Sequence, residues 1–226
     1  MTPRMDLTQR LLSLGRPERE LLVDLYQARF ADPTLLSRLR ELSGGEDAAL
    51  RTRGLLRDAA GPDGKTHYLT ATGQRAALSL LPPVQSGGRA YAALRLSHEL
   101  LRAELYVALR RRGMPATAYR AEPRLPYRSA AGLGERTLVP DAFVEAESAW
   151  LVEVDRGTER LAELRHKWLR YQEWQLGAGD GGRIAVLAAG ESTAVERSLA
   201  ATGLAAVIFR SVDALAETIW SGEEPL

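Results

Sequence analysis

Asp141, Glu153 and Asp155 are the side chains of this sequence best placed, by type and spacing, to do chemistry together. Glu153 and Asp155 lie in the apolar run Trp150-Leu151-Val152-Glu153-Val154-Asp155, which reads as a strand. Successive side chains of a strand point to opposite faces, so Glu153 and Asp155 project together while Val152 and Val154 pack the other way. Asp141 follows Val139-Pro140 and opens another strand candidate. If that strand lies alongside, three carboxylates converge, an unfavourable arrangement unless a divalent cation or a basic side chain offsets it. The nearest basic candidates are Arg156, Arg160 and Lys167. The same residues have plainer uses: Asp141 as a strand opener after proline, Glu153 and Asp155 in surface ion pairs with Arg156 and Arg160, and Lys167 paired with Glu163 one helical turn back.

Composition narrows the choice. The chain has 226 residues, enough for one large or two small domains, with 45% apolar and 26% charged residues, as in ordinary globular proteins. It contains no cysteine, which excludes a disulfide framework, a thiolate nucleophile and a cysteine-bound zinc. Histidine occurs at His67, His98 and His166, far apart in sequence, so a metal site would be built mainly from carboxylates. Hard oxygen ligands favour magnesium or manganese. Lysine and arginine number 30 against 29 acids, but the balance shifts along the chain: +2 over residues 1–88, +6 over 89–138 and −7 over 139–226. The basic residues are 28 arginines and two lysines, Lys65 and Lys167. We expect a cytoplasmic protein with no membrane partner, because no stretch reaches the roughly 18 apolar residues of a membrane span and the start lacks an apolar signal.

The elements that must position these residues fall into two groups. Helical periodicity predicts a helix over about 17–29, and Asp32-Pro33 caps a second through about residue 41. A third helix is predicted from Glu46 to Arg57, carrying Arg51, Arg53 and Arg57. Gly61-Pro62-Asp63-Gly64-Lys65 is a turn sequence before the strand-like Thr66-His67-Tyr68-Leu69, and Thr70-Ala71-Thr72-Gly73 caps a helix over 74–81. Three helices and then a hairpin is the order of a winged helix, with Lys65 at the wing tip. Pro82-Pro83-Val84-Gln85-Ser86-Gly87-Gly88 reads as a linker. We therefore expect two domains, 1–84 and 85–226. The second begins with a long helix over 92–112, ending in Arg110-Arg111-Arg112-Gly113. Strands over 118–125, 138–146 and 150–155 follow, then a helix over 158–176 carrying Lys167, Trp168, Tyr171 and Trp174. Strands over 183–188 and 205–210 and helices over 192–201 and 213–220 complete an α/β (α+β) fold with a central mixed sheet.

Pro140-Asp141, a spacer and Glu153-x-Asp155 within an α-β-β-β-α-β core resemble the PD-(D/E)XK nuclease superfamily. The resemblance implies that Asp141 and Glu153 bind a catalytic metal and that lysine should stand where this chain has Asp155. Some branches of that superfamily take the lysine from the following helix, where Lys167 lies with Tyr171 one turn further on. The other reading is a degenerate site that only binds. A second likeness spans almost the whole chain: the winged-helix start, His67-Tyr68-Leu69-Thr70-Ala71-Thr72-Gly73, a helix with His98, Pro140-Asp141, Glu153-Val154-Asp155-Arg156-Gly157-Thr158 and Lys167-Trp168-Leu169-Arg170-Tyr171. Together these look like the replication-relaxation family of plasmid-associated proteins. This resemblance implies plasmid or mobile-element DNA handling, with DNA and plasmid replication or mobilisation proteins as partners; a homodimer is a separate expectation.

On the nuclease reading, Asp141, Glu153 and Asp155 hold magnesium or manganese, Lys167 orients water or neutralises a phosphate, and Tyr171 stands beside it. Glu122 and Glu104 are candidates to support the site. In the first domain, Arg51, Arg53, Arg57 and Lys65 stand where a winged helix meets phosphates and grooves. Opposing this, Glu46, Asp47 and Asp58 would cancel those charges. Arg95, Arg102, Arg110, Arg111 and Arg112 offer a second basic face. The functional expectation is a DNA-binding protein with a metal-dependent phosphodiester-cleaving site. The alternative is a non-catalytic accessory factor or transcriptional regulator whose second domain dimerises.

Overall fold

A computed structural model describes residues 6–61, 64–81, 96–129, 134–157, 159–178, 182–189 and 193–222. The expected linker over 82–88, Arg95, the turn residues Pro62 and Asp63 and Thr158 of the family motif lie outside the described residues. The chain divides into two compact units, Met1–Val84 with Tyr91–Thr117, and a second running from Ala118 onward.

In the first unit, helices α1 (Leu7–Leu12) and α2 (Arg16–Ala28) precede a two-residue strand β1 (Phe30–Ala31). Helices α3 (Pro33–Ser43) and α4 (Asp47–Thr52) lead into strands β2 (Leu56–Gly61) and β3 (Gly64–Leu69), and α5 (Ala71–Leu78) follows. The local chemistry is the expected one at two helix starts. The Asp32 carboxylate accepts the Leu35 N–H at 2.7 Å, and the Thr70 hydroxyl accepts that of Gly73 at 3.0 Å. The strands form one antiparallel sheet in the order β1-β3-β2, which is the winged-helix order. The third helix is shorter than expected. Gly54, at φ +65°, turns the chain after Arg53, so Arg57 stands on β2 and not on a helix.

The expected boundary at residue 84 moves. Helix α6 (Leu96–Arg111) belongs to the first unit because its apolar face, with Leu105, Tyr106 and Leu109, is fully buried there together with Leu21, Leu25 and Leu39. Buried polar contacts fix its register: the Asp24 carboxylate accepts from Tyr106 Oη at 2.5 Å and Arg110 Nε at 3.0 Å. Glu99 pairs with Arg102 at 2.5 Å and with Arg29 at 3.8 Å.

The second unit starts with β4 (Tyr119–Ala121) and a hairpin, β5 (Leu125–Arg128) and β6 (Glu135–Leu138). It continues with β7 (Ala142–Glu145), β8 (Ala149–Asp155), α7 (Leu161–Ala178), β9 (Arg183–Ala188), α8 (Thr193–Thr202), β10 (Val207–Phe209) and α9 (Val212–Ser221). The central sheet is mixed, in the order β10-β9-β8-β7-β4, with β8, β9 and β10 parallel and β7 antiparallel to both β8 and β4. Strand alternation turns Phe143, Leu151, Ile184 and Val186 into one core with Leu164, Trp168 and Trp174 of α7 and with Val195 and Leu199 of α8. The strands expected over 118–125 and 138–146 are each cut short, at Glu122-Pro123 and at Val139-Pro140. Proline cannot donate to a ladder. Beyond these breaks lies a separate sheet, β5-β6, of whose residues only Leu125 and Leu138 fall in the expected strands.

Candidate active site

Strand pairing brings the carboxylates together. Ala142 of β7 lies opposite Val152 of β8, so Asp141, one residue earlier, reaches Glu153, and its Oδ2 accepts the Val154 N–H at 2.8 Å. The Asp141 side chain thus occupies the ladder position that a further β7 residue would fill. Glu153 is 4% exposed. Lys167 and Tyr171 approach it from α7, one helical turn apart. Lys167 Nζ donates to Glu153 Oε2 at 3.0 Å, and the Tyr171 hydroxyl donates to Glu153 Oε1. Lys167 also donates to Glu159 Oε1 at 2.8 Å. Glu159 lies in the irregular segment between β8 and α7, since the helix expected from residue 158 starts only at Leu161.

The electrostatics follow from this packing. Burial, and then the Asp141 charge, push the Glu153 carboxyl up to about 8, against the opposing pull of Lys167 and Tyr171. A hydrogen bond between the two carboxyls also favours protonated Glu153. Burial alone would lower the Lys167 ammonium, but Glu153, Asp141 and Glu159 outweigh it and hold Lys167 firmly charged. The Tyr171 hydroxyl is raised by burial and by the Glu153 charge, so it stays a donor. Burial and the neighbouring Asp141 thus drive Glu153 toward its protonated form, beside an ammonium that its acidic neighbours keep charged.

Of the expected ligand set, the structure gathers Asp141 and Glu153. Asp155 is buried at the end of β8, in register with Ala188, and the described residues contain no group of three or more acidic or histidine side chains arranged for a metal. Glu122 is buried next to Asp141, donating its N–H to the Asp141 carbonyl at 3.0 Å, and sits at φ +43°, a left-handed conformation costly for a residue with a Cβ. Glu104 is on α6 and so in the first unit. The plain alternatives for Lys167 and Glu163 do not hold: Glu163 accepts from the Arg160 N–H at 3.2 Å, and Lys167 turns to the cluster. Trp174 is core, and Trp168 donates to Ser198 Oγ at 2.7 Å.

The first unit's basic residues divide. Arg51 is held by Asp47 at 2.7 Å, Asp58 at 2.5 Å and His67 Nδ1 at 3.0 Å. Those bonds to Arg51 and the one to His67 hold the Asp58 carboxyl below its usual range. Arg53 donates to Ser13 Oγ at 2.7 Å, Ser13 O at 2.8 Å and Ala49 O at 3.0 Å. Glu46, expected to oppose these arginines, pairs with Arg40 at 2.7 Å. Arg57 and Lys65 are exposed on the two strands of the hairpin and make no ion pair among the described residues. The second basic face does not form as expected, because Arg102 is buried on Glu99 and Arg110 is bound to Asp24.

Comparison with known proteins comes to the same region of sequence. The replication-relaxation family model matches residues 21–182, which include the winged-helix order, Asp141, Glu153, Lys167 and Tyr171. A search of curated proteins finds no match. Among solved structures, the crystal structure of protein VC1899 from Vibrio cholerae is similar at 14% identity and a TM-score of 0.37. The alignment covers 97% of this chain, which spans 57% of that one. No helix among the described residues is long and apolar enough to cross a membrane.

Proposed function

This chain belongs to the replication-relaxation family, which supports a replication- or mobilisation-related function, and on that premise we propose that it binds plasmid or mobile-element DNA and cleaves it at the Asp141–Glu153–Lys167–Tyr171 cluster. The observation that carries the reading is the Lys167 ammonium 3.0 Å from Glu153, on the helix beyond the carboxylate strand. A lysine that had moved to that helix would have to stand there.

The donor set fits a hard divalent cation: two carboxyls in mutual contact, Glu153 buried and Asp141 half-buried, whose repulsion an ion would offset. Asp141 and Glu153 would hold magnesium or manganese. The chemistry such an ion supplies is Lewis-acid: it acidifies water and offsets phosphate charge. The protein's own residues do the rest. Asp141 is oriented by the Val154 amide, and Tyr171 fixes Glu153 by donating to Oε1, leaving the other oxygen to Lys167. Lys167, held charged, is the group to neutralise a phosphate oxygen, and Glu159 steadies it from the outer side. In the first unit Arg57 and Lys65 remain the candidates for phosphate contact. Arg51 and Arg53 serve to shape the helix and wing that carry them.

One observation favours a second reading, a non-catalytic DNA-binding factor. Both Glu153 oxygens are already hydrogen-bonded within the chain, so the cluster also satisfies itself as a buried polar knot. Incubation of supercoiled, linear and single-stranded DNA with magnesium or manganese separates the two. The nuclease reading expects the parent to cut and the variants Asp141→Ala, Glu153→Ala and Lys167→Met to fall at least a hundredfold with unchanged circular dichroism. A parent that never cuts, or variants that cut equally well, leaves the binding factor standing.

A further inference from the structure

The hairpin β5–β6 pairs with no strand of the central sheet, yet it is seated firmly on α7. Glu173 accepts hydrogen bonds from Tyr127 Oη at 3.1 Å, from the Ser129 hydroxyl and from Arg136 Nη1 at 2.7 Å. Arg170 Nη2 donates to Thr137 O at 2.9 Å. At Gly177 an added Cβ would stand 2.1 Å from the Arg128 carbonyl oxygen, so helix and hairpin backbones touch. These contacts give the hairpin a direction. Thr137 is level with Arg170, Arg136 with Glu173, and Arg128 with Gly177 near the end of α7. Lys167 lies one turn before Arg170, and Leu138 is three residues before Asp141, so the base of the hairpin adjoins the carboxylates and its far end runs along the helix away from them.

Alternation along β5 decides which side chains face out. Tyr127 is buried toward α7, whereas Arg124, Pro126 and Arg128 are exposed. Arg136 is committed to Glu173, but Arg124 and Arg128 make no ion pair among the described residues. They stand about 13 Å apart along the strand. Glu135 is exposed opposite Arg128 in the register. Arg124, at the base of the hairpin near the carboxylates, and Arg128, toward its far end, are thus the cations of its outer face, while Lys167 and the exposed Arg170 lie on the helix that carries it.

We infer that the outer face of β5–β6 is the DNA-backbone surface of the second unit, with Arg124 and Arg128 holding phosphates of the strand that passes Lys167. This rests on the proposed DNA-handling function and says where in the second unit the DNA lies. A guanidinium on a rigid strand presents a fork that suits phosphate, and little order is lost when it binds. The seat on α7 supplies that rigidity, which a basic segment attached only by its ends would lack.

Fluorescence anisotropy with labelled duplex and single-stranded DNA across a salt series tests this on the full chain. The pair Arg124→Ala/Arg128→Ala should weaken binding roughly tenfold at low salt and reduce the slope of log K against log salt by about 1.8 for duplex, two phosphates' worth. Arg124→Lys/Arg128→Lys should restore most of both, which a folding defect would not allow. Arg57→Ala/Lys65→Ala serves as the comparison in the first unit. If the parent binds and the alanine pair keeps its affinity and slope, the hairpin surface is wrong while DNA binding stands. If the parent binds neither DNA form, the DNA-handling reading falls and takes the surface with it.

Discussion

A lysine, a tyrosine and a second carboxyl all meet the buried Glu153, and its charge state decides what removing one of them does. Glu153 is already pushed up to about 8, so it need not remain ionised when its ammonium partner is lost. Lys167→Met is therefore expected to cost about 1–2 kcal/mol in urea unfolding at pH 7, not the 3–5 kcal/mol of a stranded buried charge. A loss of the larger size would mean that Glu153 is a fixed anion dependent on Lys167. The positions of these four residues were legible in the sequence, because alternation on a strand and i, i+4 spacing on a helix fix direction. Three things were not. Glu159 sits in an irregular segment, Asp155 shares the strand face of Glu153 without joining a ligand group, and the bond from Arg51 to His67, unlike its expected opposition by Asp47 and Asp58, depends on a strand register that residue types do not give.

Among the elements, the docked hairpin and α6 were the hardest to foresee. The hairpin is short and flanked by prolines, so only its end residues Leu125 and Leu138 read as strand and no element is expected over the rest. Its seat makes a sharp test at Gly177. Helix propensity alone says that Gly177→Ala stabilises α7 by up to about 1 kcal/mol. The Arg128 carbonyl in the way says the reverse, a loss of about 1–3 kcal/mol from overpacking. Thermal unfolding should show the loss, with faster amide exchange in β5 and β6 but not in β8 and β9. For α6, the buried Asp24 gives a pH signature. Burial raises its carboxyl above the usual range, although Arg110 and Tyr106 pull it down and Glu20 adds slightly to the rise. Its protonated form is thus the better fit in the fold, and that contribution is full below the unfolded value near 3.9 and lost as pH rises through the folded one. Asp24→Asn removes the titration, so the variant should gain on the parent between pH 4 and pH 7 in chemical unfolding. A constant difference would contradict the assignment.

At the scale of the whole molecule, the two-unit organisation was legible from the order of helices and strands, and the mixed sheet from the alternation of helix with strand. The division between units was not, because a proline- and glycine-rich stretch marks a break in the chain without saying which way the next helix packs. α6 packs back on α2 and α3. A fragment of residues 1–117 should accordingly unfold cooperatively, whereas 1–84, with Leu21, Leu25 and Leu39 uncovered, should not; equal cooperativity would put α6 outside that core. The central claim is that the carboxyl pair beneath Lys167 is a working site and not a buried polar knot. Calorimetric titration of the full chain with manganese tests it most directly. One ion should bind per chain, with protons released as Glu153 gives up its own, and none to Asp141→Asn or Glu153→Gln. A parent that takes up no manganese, or variants that bind it equally well, would contradict it.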